Sequence, residues 1–519
     1  MSFRLLGALV AGLLIPQVAS AVTNSTIDVK ADLYAVGDGN GYQLNTQFAT
    51  LAAAQAAYPH VHAKWPITSL TSTTHYRDWC AIQEAVLACT DPDVTLHREI
   101  ILPPGTYYVD RTIELEWNGT TPFLMRGAGR LNTYINSYTP SGYALKINQT
   151  ANGFPKKGGW IRDLSFKHPP ATALSGIYLR SASQFTFDNV GVESFNGDGI
   201  YVLCGAGEGL DSTSFLTIKN SFVVANTGWG INVDVSDGLT AVSFINMENC
   251  WIEQNGTAAI GGGGMRWRGQ FLNTKNCGFT VNNQHGFLNY GPTPSQSIAM
   301  EETTFENTVG VHCELQAILN ARFENCQLYS NATYKATKGF LIQGTGSHAC
   351  ENVTILGTII RAEPEVVPYT AFDITGAQAK YTRIEQTRYD HWYTQTKFSD
   401  SGTNTRIEDL GEIYPYKVRA IIANLAAGGT HTLSKLYQLH SINLGATGNY
   451  TIAEPNPGPG TAGTGTLMDI ELVGGTGTAT VGFTGSWYAD LPGPIGPGVR
   501  KSARFYFNNG IWRQLGAWR

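Results

Sequence analysis

Through its middle the chain alternates apolar and polar positions in short runs that close on the same residue. Phe185-Thr-Phe-Asp-Asn189, Leu216-Thr-Ile-Lys-Asn220, Ile245-Asn-Met-Glu-Asn249, Leu272-Asn-Thr-Lys-Asn276 and Ala321-Arg-Phe-Glu-Asn325 share this form. Period-two alternation predicts a half-buried strand, and the Asn predicts a turn. A second short strand follows each turn. Then come a polar turn, a Gly and a third apolar strand, as in Asn196-Gly-Asp-Gly-Ile-Tyr-Val202 and Asn226-Thr-Gly-Trp-Gly-Ile-Asn-Val233. Asp163 fits an earlier copy, Glu302 replaces the Asn in a degenerate one, and Asn352 opens a further one. The steps between turn residues are 26, 31, 29, 27, 26, 23 and 27 residues.

A unit of that length with three short strands cannot bury its own apolar face, but stacked units can. The pattern therefore predicts an all-β, single-stranded parallel β-helix. The turn Asn residues should form a ladder with rungs about 4.8 Å apart. A β-sandwich would need hairpin signals at shorter intervals, which the sequence lacks. Cys250, Cys277 and Cys326 each follow the turn residue directly. Cys250 and Cys277 should thus stack on adjacent rungs, either as a disulfide or as buried free thiols.

The flanks read differently. Residues 1–21 have a charged start at Arg4, an apolar run from Leu5 to Ile15 and a small-residue end at Ala19-Ser20-Ala21. That is the pattern of a signal peptide, so the mature chain is expected outside the cell, with no membrane association after cleavage. Residues 22–94 read as an N-terminal cap with helices over Thr50–Tyr58, ending at Pro59, and Asp78–Cys89, with Asp78 as N-cap. The solenoid is expected over 95–411. Residues 412–519 read as a small antiparallel β domain with a hairpin turn at Asn508-Asn509-Gly510. Its expected roles are capping the open solenoid end, oligomerisation or glycan binding.

Four segments occur in order: Asp32-Leu-Tyr-Ala-Val-Gly-Asp-Gly39, Asp78-Trp-Cys-Ala-Ile-Gln-Glu-Ala85, Ile101-Leu-Pro-Pro-Gly-Thr-Tyr107 and Leu124-Met-Arg-Gly-Ala-Gly129. Together they resemble the opening segment of pectate-lyase-like right-handed β-helix proteins, including phage tailspikes and rhamnogalacturonase-type depolymerases. The segment Phe48-Ala-Thr-Leu-Ala-Ala-Ala-Gln-Ala-Ala-Tyr-Pro59 is similar to tailspike depolymerases in particular. The resemblance implies a right-handed helix and a polysaccharide as partner. It also raises trimerisation and calcium as family options, and the residues themselves point to no cofactor or metal. The sequence departs from polygalacturonases, whose Asn-Thr-Asp, Gly-Asp-Asp, Gly-His-Gly and Arg-Ile-Lys motifs are missing. The Asp-rich calcium cluster of pectate lyases is not recognisable either.

Composition narrows the class. Only 14% of residues are charged and 58 of 519 are Gly, which suits a β-rich chain with many tight corners. A net charge of −5 argues against nucleic acid as a partner. Eight Cys in so long a chain do not make a disulfide scaffold. Sequons at Asn24, Asn118, Asn148, Asn255, Asn331, Asn352 and Asn449 permit glycosylation in a eukaryotic secretory route. No His-Glu-x-x-His, P-loop or serine-elbow motif is present.

The third strand of each copy points toward chemistry. With its Ile position inward, the outward residues are Tyr178, Arg180, Tyr201, Asn232, Asp234, Tyr290, His312, Glu314 and Gln343. Gly261-Gly-Gly-Gly264, followed by Met265-Arg266-Trp267-Arg268, should leave a groove floor in this wall. Aromatic rings stack on sugar faces, while carboxylates and guanidinium groups fix hydroxyls or uronate carboxylates. The candidate catalytic groups are Asp234 first, with Asp237 and Glu314 as partners for hydrolysis. His312 or Tyr290 would be the base of a β-elimination, with Arg266 or Arg268 neutralising the carboxylate. Tyr201, Asn232, Arg266, Trp267, Arg268 and Tyr290 are the expected substrate contacts. The reading is a secreted enzyme that cleaves an extracellular, acidic or neutral polysaccharide, with hydrolysis favoured slightly. The alternative is a glycan-binding or adhesion protein on the same scaffold.

Overall fold

The computed structural model describes residues 25–519 apart from 74, 91–97, 118–121, 150–157, 169–174, 181, 206–214, 237–241, 292–293, 332, 345–347, 363–368, 391–395, 402–404, 409–418, 426–429, 433–438, 445–446, 454–466, 475–477, 485–486, 489–491, 509–510, 516 and 518. The repeats coil as a parallel β-solenoid. One coil runs through strands Leu216–Lys219, Phe222–Val224 and Ile231–Ser236. The next runs through Val242–Glu248, Trp251–Glu253 and Gly263–Trp267. First and second strands build one large sheet, and the third strands build a separate 11-stranded sheet.

Stacking in register is what buries the apolar positions. Leu216, Ile245, Leu272, Ile298, Ala321 and Val353 face one another in successive coils. On the third sheet Ile177, Ile200, Ile231, Met265, Phe287, Cys313, Phe340 and Phe372 form a second inward column. All are buried.

The turn between first and second strands requires the left-handed conformation, which Asn tolerates better than most residues. Asn189, Asn220, Asn249, Asn276 and Asn325 have φ of 55°, 52°, 53°, 51° and 53°. Asp163 and Glu302 hold the same corner at 59° and 51°. Side chains pair along it. Asn189 Nδ2 donates to Asp163 Oδ1 at 2.8 Å, Asn249 Nδ2 to Asn220 Oδ1 at 3.2 Å and Asn276 Nδ2 to Asn249 Oδ1 at 2.7 Å.

The expected continuation at Asn352 is corrected. The corner after Asn325 is Gly357, at φ 63°, whose amide donates to the Glu385 carbonyl at 3.1 Å. That step is 357 − 325 = 32 residues. Asn352 instead precedes strand Val353–Leu356 and donates to the Leu319 carbonyl at 3.1 Å. Glycine at the corner hides the repeat from a search for Asn.

A second Asn ladder lies inside the coils at the next corner. Asn226 Nδ2 donates to Asn255 Oδ1 at 2.9 Å, and Asn255 Nδ2 to Asn282 Oδ1 at 3.1 Å. All three are buried, so the sequon at Asn255 offers no exposed amide on the folded chain. Cys250 and Cys277 do stand in adjacent rungs, but as free thiols. Cys250 Sγ donates to the Ile218 carbonyl at 3.2 Å, so the backbone of the preceding coil supplies its partner.

Among the described residues the cap has three α-helices where two were expected: Leu51–Ala57, Pro59–Lys64 and Arg77–Thr90. Pro59 starts the second helix at its first position, where its missing N–H costs nothing. Asp78 does not cap its own helix. Its carboxylate accepts from the Val36 amide at 2.6 Å and the Tyr108 amide at 2.9 Å, tying helix to solenoid. Near the C-terminus the expected small antiparallel sheet joins Leu467–Gly474, Arg500–Asn508 and Ile511–Leu515. Parallel strands Arg419–Leu425 and Leu439–Leu444 extend it, which the hairpin pattern did not foretell.

The buried ladder predicts a stability effect. Asn255→Ala should lower unfolding stability by about 1–3 kcal/mol, because it strips partners from Asn226 and Asn282. The shift in denaturant midpoint measures this. An unchanged midpoint would show that the ladder contributes nothing.

Candidate functional site

The outer face of the third sheet presents two rows. Register places Tyr178, Tyr201, Asn232, Arg266, Leu288, Glu314, Leu341 and Asp373 in one line. Asp234 and Tyr290 belong to the neighbouring outward row. The three rungs after strand Ile113–Trp117 carry an aromatic stack: Tyr143 lies 4.5 Å from Tyr178, and Tyr178 lies 5.7 Å from Tyr201 between ring centroids.

Beside that stack sits Asp198, in the turn before strand Ile200–Gly205. Asn232 Nδ2 donates to its Oδ2 at 2.8 Å, and the Trp229 amide donates to its Oδ1 at 2.7 Å. Burial nevertheless pushes its carboxyl above the usual aspartate range; the two donors and Arg266 oppose this, and Asp234 adds to it. Asp234 lies one coil further on. Arg268 Nη1 contacts its Oδ1 at 3.2 Å and the Val235 carbonyl at 3.1 Å. Arg266 lies over the Tyr290 ring at 3.8 Å. Burial raises the Tyr290 phenol, against the pull of Arg266 and with the push of Asp234. It therefore keeps its proton at neutral pH.

The next rungs hold a second polar knot. Glu314 accepts from His285 Nε2 at 2.7 Å, Gln316 Nε2 at 2.6 Å and Gln343 Nε2 at 2.7 Å. Burial pushes Glu314 up, yet these donors together hold it below its usual value. The His285 ring stacks on Trp229 with centroids 6.0 Å apart. The knots therefore meet through Trp229, whose amide holds Asp198. Asn232 Oδ1, Arg268 Nε and His285 Nδ1 are buried without a hydrogen-bond partner.

The structure brings together Tyr201, Asn232, Asp234, Arg266, Arg268 and Tyr290, and sets Glu314 beside them. Asp237 lies outside the described residues. Two expectations fail. His312 is fully buried, not outward, because its position aligns with the corner glycines Gly286 and Gly339 rather than with the outer row. Burial pushes its pKa down to about 3, so it is a neutral core residue. Trp267 is also buried, in the inward column between Val233 and Asn289.

The glycine run is not an open floor. A Cβ on Gly263 would stand 2.2 Å from the His285 carbonyl oxygen, and one on Gly264 2.3 Å from that of Gly286. These glycines allow backbone to pack on backbone. Sequence reading missed Asp198 and His285. The Asn-Gly-Asp-Gly turn before Ile200 carried the only signal for Asp198, and His285 occupied a position read as turn. Among the described residues no three carboxylate, imidazole or thiol groups gather as a metal cluster.

The family profile described as a right handed beta helix region matches residues 114–268 and 175–360. Among solved structures, the phage Phi29 gene product 12 N-terminal fragment is 12% identical, with TM-score 0.50, over 86% of this chain and 70% of that one. The ORF18 protein of Geobacillus virus E2 is 13% identical with TM-score 0.41, over 75% of this chain; the chain spans 62% of that protein. The catalytic unit of a GH87 alpha-1,3-glucanase from Streptomyces thermodiastaticus is 12% identical with TM-score 0.41, over 76% and 70% of the two chains. No curated protein matches at a significant level. At these identities the likeness is one of fold.

The Glu314 knot predicts an acid-stability limb. A carboxyl held below its free value of 4.5 contributes stability above that pH and loses it as pH falls through the lowered folded value. Between about pH 5 and pH 3 the native protein should lose more stability than Glu314→Gln does. Denaturant midpoints against pH test this. Parallel curves would show that the three donors leave Glu314 unperturbed.

Proposed function

For this right-handed parallel β-helix protein we propose binding and hydrolytic cleavage of an extracellular polysaccharide on the outer wall of the third sheet, with Asp198 as acid and Asp234 as its carboxylate partner. The observation that carries the reading is the contrast between these two groups. Asp198 is desolvated and pushed toward its protonated form, whereas Asp234 is held by the Arg268 guanidinium. Two carboxyls set apart by their surroundings are what glycoside hydrolysis requires.

In this scheme Asp198 gives its proton to the glycosidic oxygen as the C–O bond breaks. Asp234 takes a proton from the attacking water or attacks the anomeric carbon itself. Asn232 holds Asp198 in place, and Tyr178 and Tyr201 offer ring faces to neighbouring sugars. Both bases first expected for an elimination lose support here, since His312 is buried and Tyr290 keeps its proton.

One observation favours a second reading. His285 is held through Nε2 by Glu314, and its Nδ1 is unpartnered. An imidazole so placed could abstract a proton α to a uronate carboxylate neutralised by Arg266. The leader-like segment at residues 1–21 supports an extracellular setting for either reaction.

Asp198→Asn and Asp234→Asn should each lower kcat by about 100-fold or more while leaving binding intact. Activity of the native protein should fall as pH rises through the raised Asp198 value, because the acid must be protonated. New reducing ends without the ultraviolet absorbance of an unsaturated uronate are expected from a panel of polysaccharides. Matching absorbance would replace hydrolysis by elimination at His285. Full activity in Asp198→Asn would remove Asp198 from the mechanism.

A further inference from the structure

A separate cleft opens where the helical cap meets the first coils. It has a volume of about 450 Å³ and is lined by Trp65, Trp79, Asp110, Arg111, Glu114 and Thr139, among others. That size lies in the range of small-molecule sites. Its walls are fixed from several sides. Trp79 Nε1 donates to the Thr112 carbonyl at 3.2 Å, and Gln83 exchanges bonds of 2.9 and 2.8 Å with the Glu114 backbone. Thr112 Oγ1 donates to the Tyr143 carbonyl at 2.7 Å.

Two of its polar groups keep unused hydrogen-bonding capacity. The Arg111 guanidinium lies 4.8 Å from the Trp79 ring and 5.6 Å from the Trp65 ring. No hydrogen bond or ion pair engages it among the described residues. Asp110 Oδ1 is buried without a partner. Burial pushes that carboxyl up to about 7, against its own amide, Tyr76 and Arg111, so near neutrality it can donate as well as accept. Glu114 faces the cleft but is engaged by Lys64 at 3.4 Å. His75 packs edge-on against Trp79 behind the wall.

We propose that this cleft is a non-catalytic binding site for a carboxylate-bearing sugar unit, a uronate, with Arg111 holding the carboxylate and Trp65 the ring. A guanidinium fork with free donors matches the two oxygens of a carboxylate. The half-buried Trp65, with Lys64 Nζ 4.6 Å from its ring centroid, offers a pyranose an indole wall beside a second cation. Asp110, protonated or not, can pair with a ring hydroxyl. A dianionic phosphate suits the cleft less, because Asp110 and Glu114 flank Arg111. The cleft adjoins the cap end of the third sheet, where Glu114 aligns with Lys146 and Tyr178, but neither Asp198 nor Asp234 lines it.

Calorimetric titration of the intact protein tests it, using glucuronate, galacturonate and mannuronate, with methyl glucoside as the neutral control. Saturable binding of a uronate and none of methyl glucoside is expected. Arg111→Gln should weaken uronate binding about ten-fold or more. Asp110→Asn, which keeps a donor and an acceptor while removing negative charge beside Arg111, should bind uronate at least as tightly as the native protein, and unchanged melting curves would show that both variants fold. Asp198→Asn should bind uronate as the native protein does, which separates this site from the proposed hydrolytic one. Failure of all three uronates to bind, equal binding of the neutral sugar, or unchanged affinity in Arg111→Gln would each overturn the proposal.

Discussion

Every feature of this molecule depends on the in-register stacking of one coil on the next. No single coil has an inside. Leu216 is buried only because Ile245 lies over it, and Ile245 because Leu272 does. Parallel backbone bonds set the spacing, and the corners keep each coil the same shape. The left-handed corner is the strictest demand, since a residue there must accept positive φ. Where Asn is absent, Asp163, Glu302, Gly357 and Gln386 take the corner at φ between 50° and 63°. The buried ladder of Asn226, Asn255 and Asn282 answers a second demand. It supplies hydrogen bonds to backbone groups that turn inward at the next corner, where water cannot reach.

The same stacking explains why the wall gathers its groups as it does. Residues far apart in sequence, such as Asp198 and Asn232, become neighbours because each coil brings the chain back by one rung. A wall made in this way is a repeated surface on which each rung contributes two or three outward side chains. Its chemistry is set by which rungs depart from the pattern. Trp229, His285 and Glu314 are such departures. They join the carboxyl group of Asp198 to a second polar knot through one tryptophan, whose backbone amide serves the first and whose ring packs on the second.

The cap adds a different kind of surface. The solenoid wall is open and repetitive, whereas the cleft beside Trp65 and Trp79 is bounded by a helix, a loop and two coils. The contacts that cover the end of the solenoid also create an open cleft with a guanidinium in its lining. Asp78 illustrates how tightly the two parts are joined. A residue that sequence reading assigns to helix capping instead holds the amides of Val36 and Tyr108.

The sequence by itself determined the coil. Period-two alternation and a recurring left-handed turn residue are local properties, readable wherever Asn marks the corner, and they lead directly to stacked parallel strands. Outward positions such as Tyr201, Asn232, Asp234, Arg266 and Tyr290 follow from the same alternation. Only the tertiary structure decided what lies between rungs. Alternation from Met265 places Trp267 inward, as found, whereas His312 could not be placed from alternation alone, because its strand end bends into the corner and buries the residue before Cys313. Asp198 stayed hidden because it precedes its strand, and His285 because it opens its strand directly after the turn, where no period is yet established. The glycine run was misread because only the carbonyls of the next coil show that backbone fills the space a side chain would need.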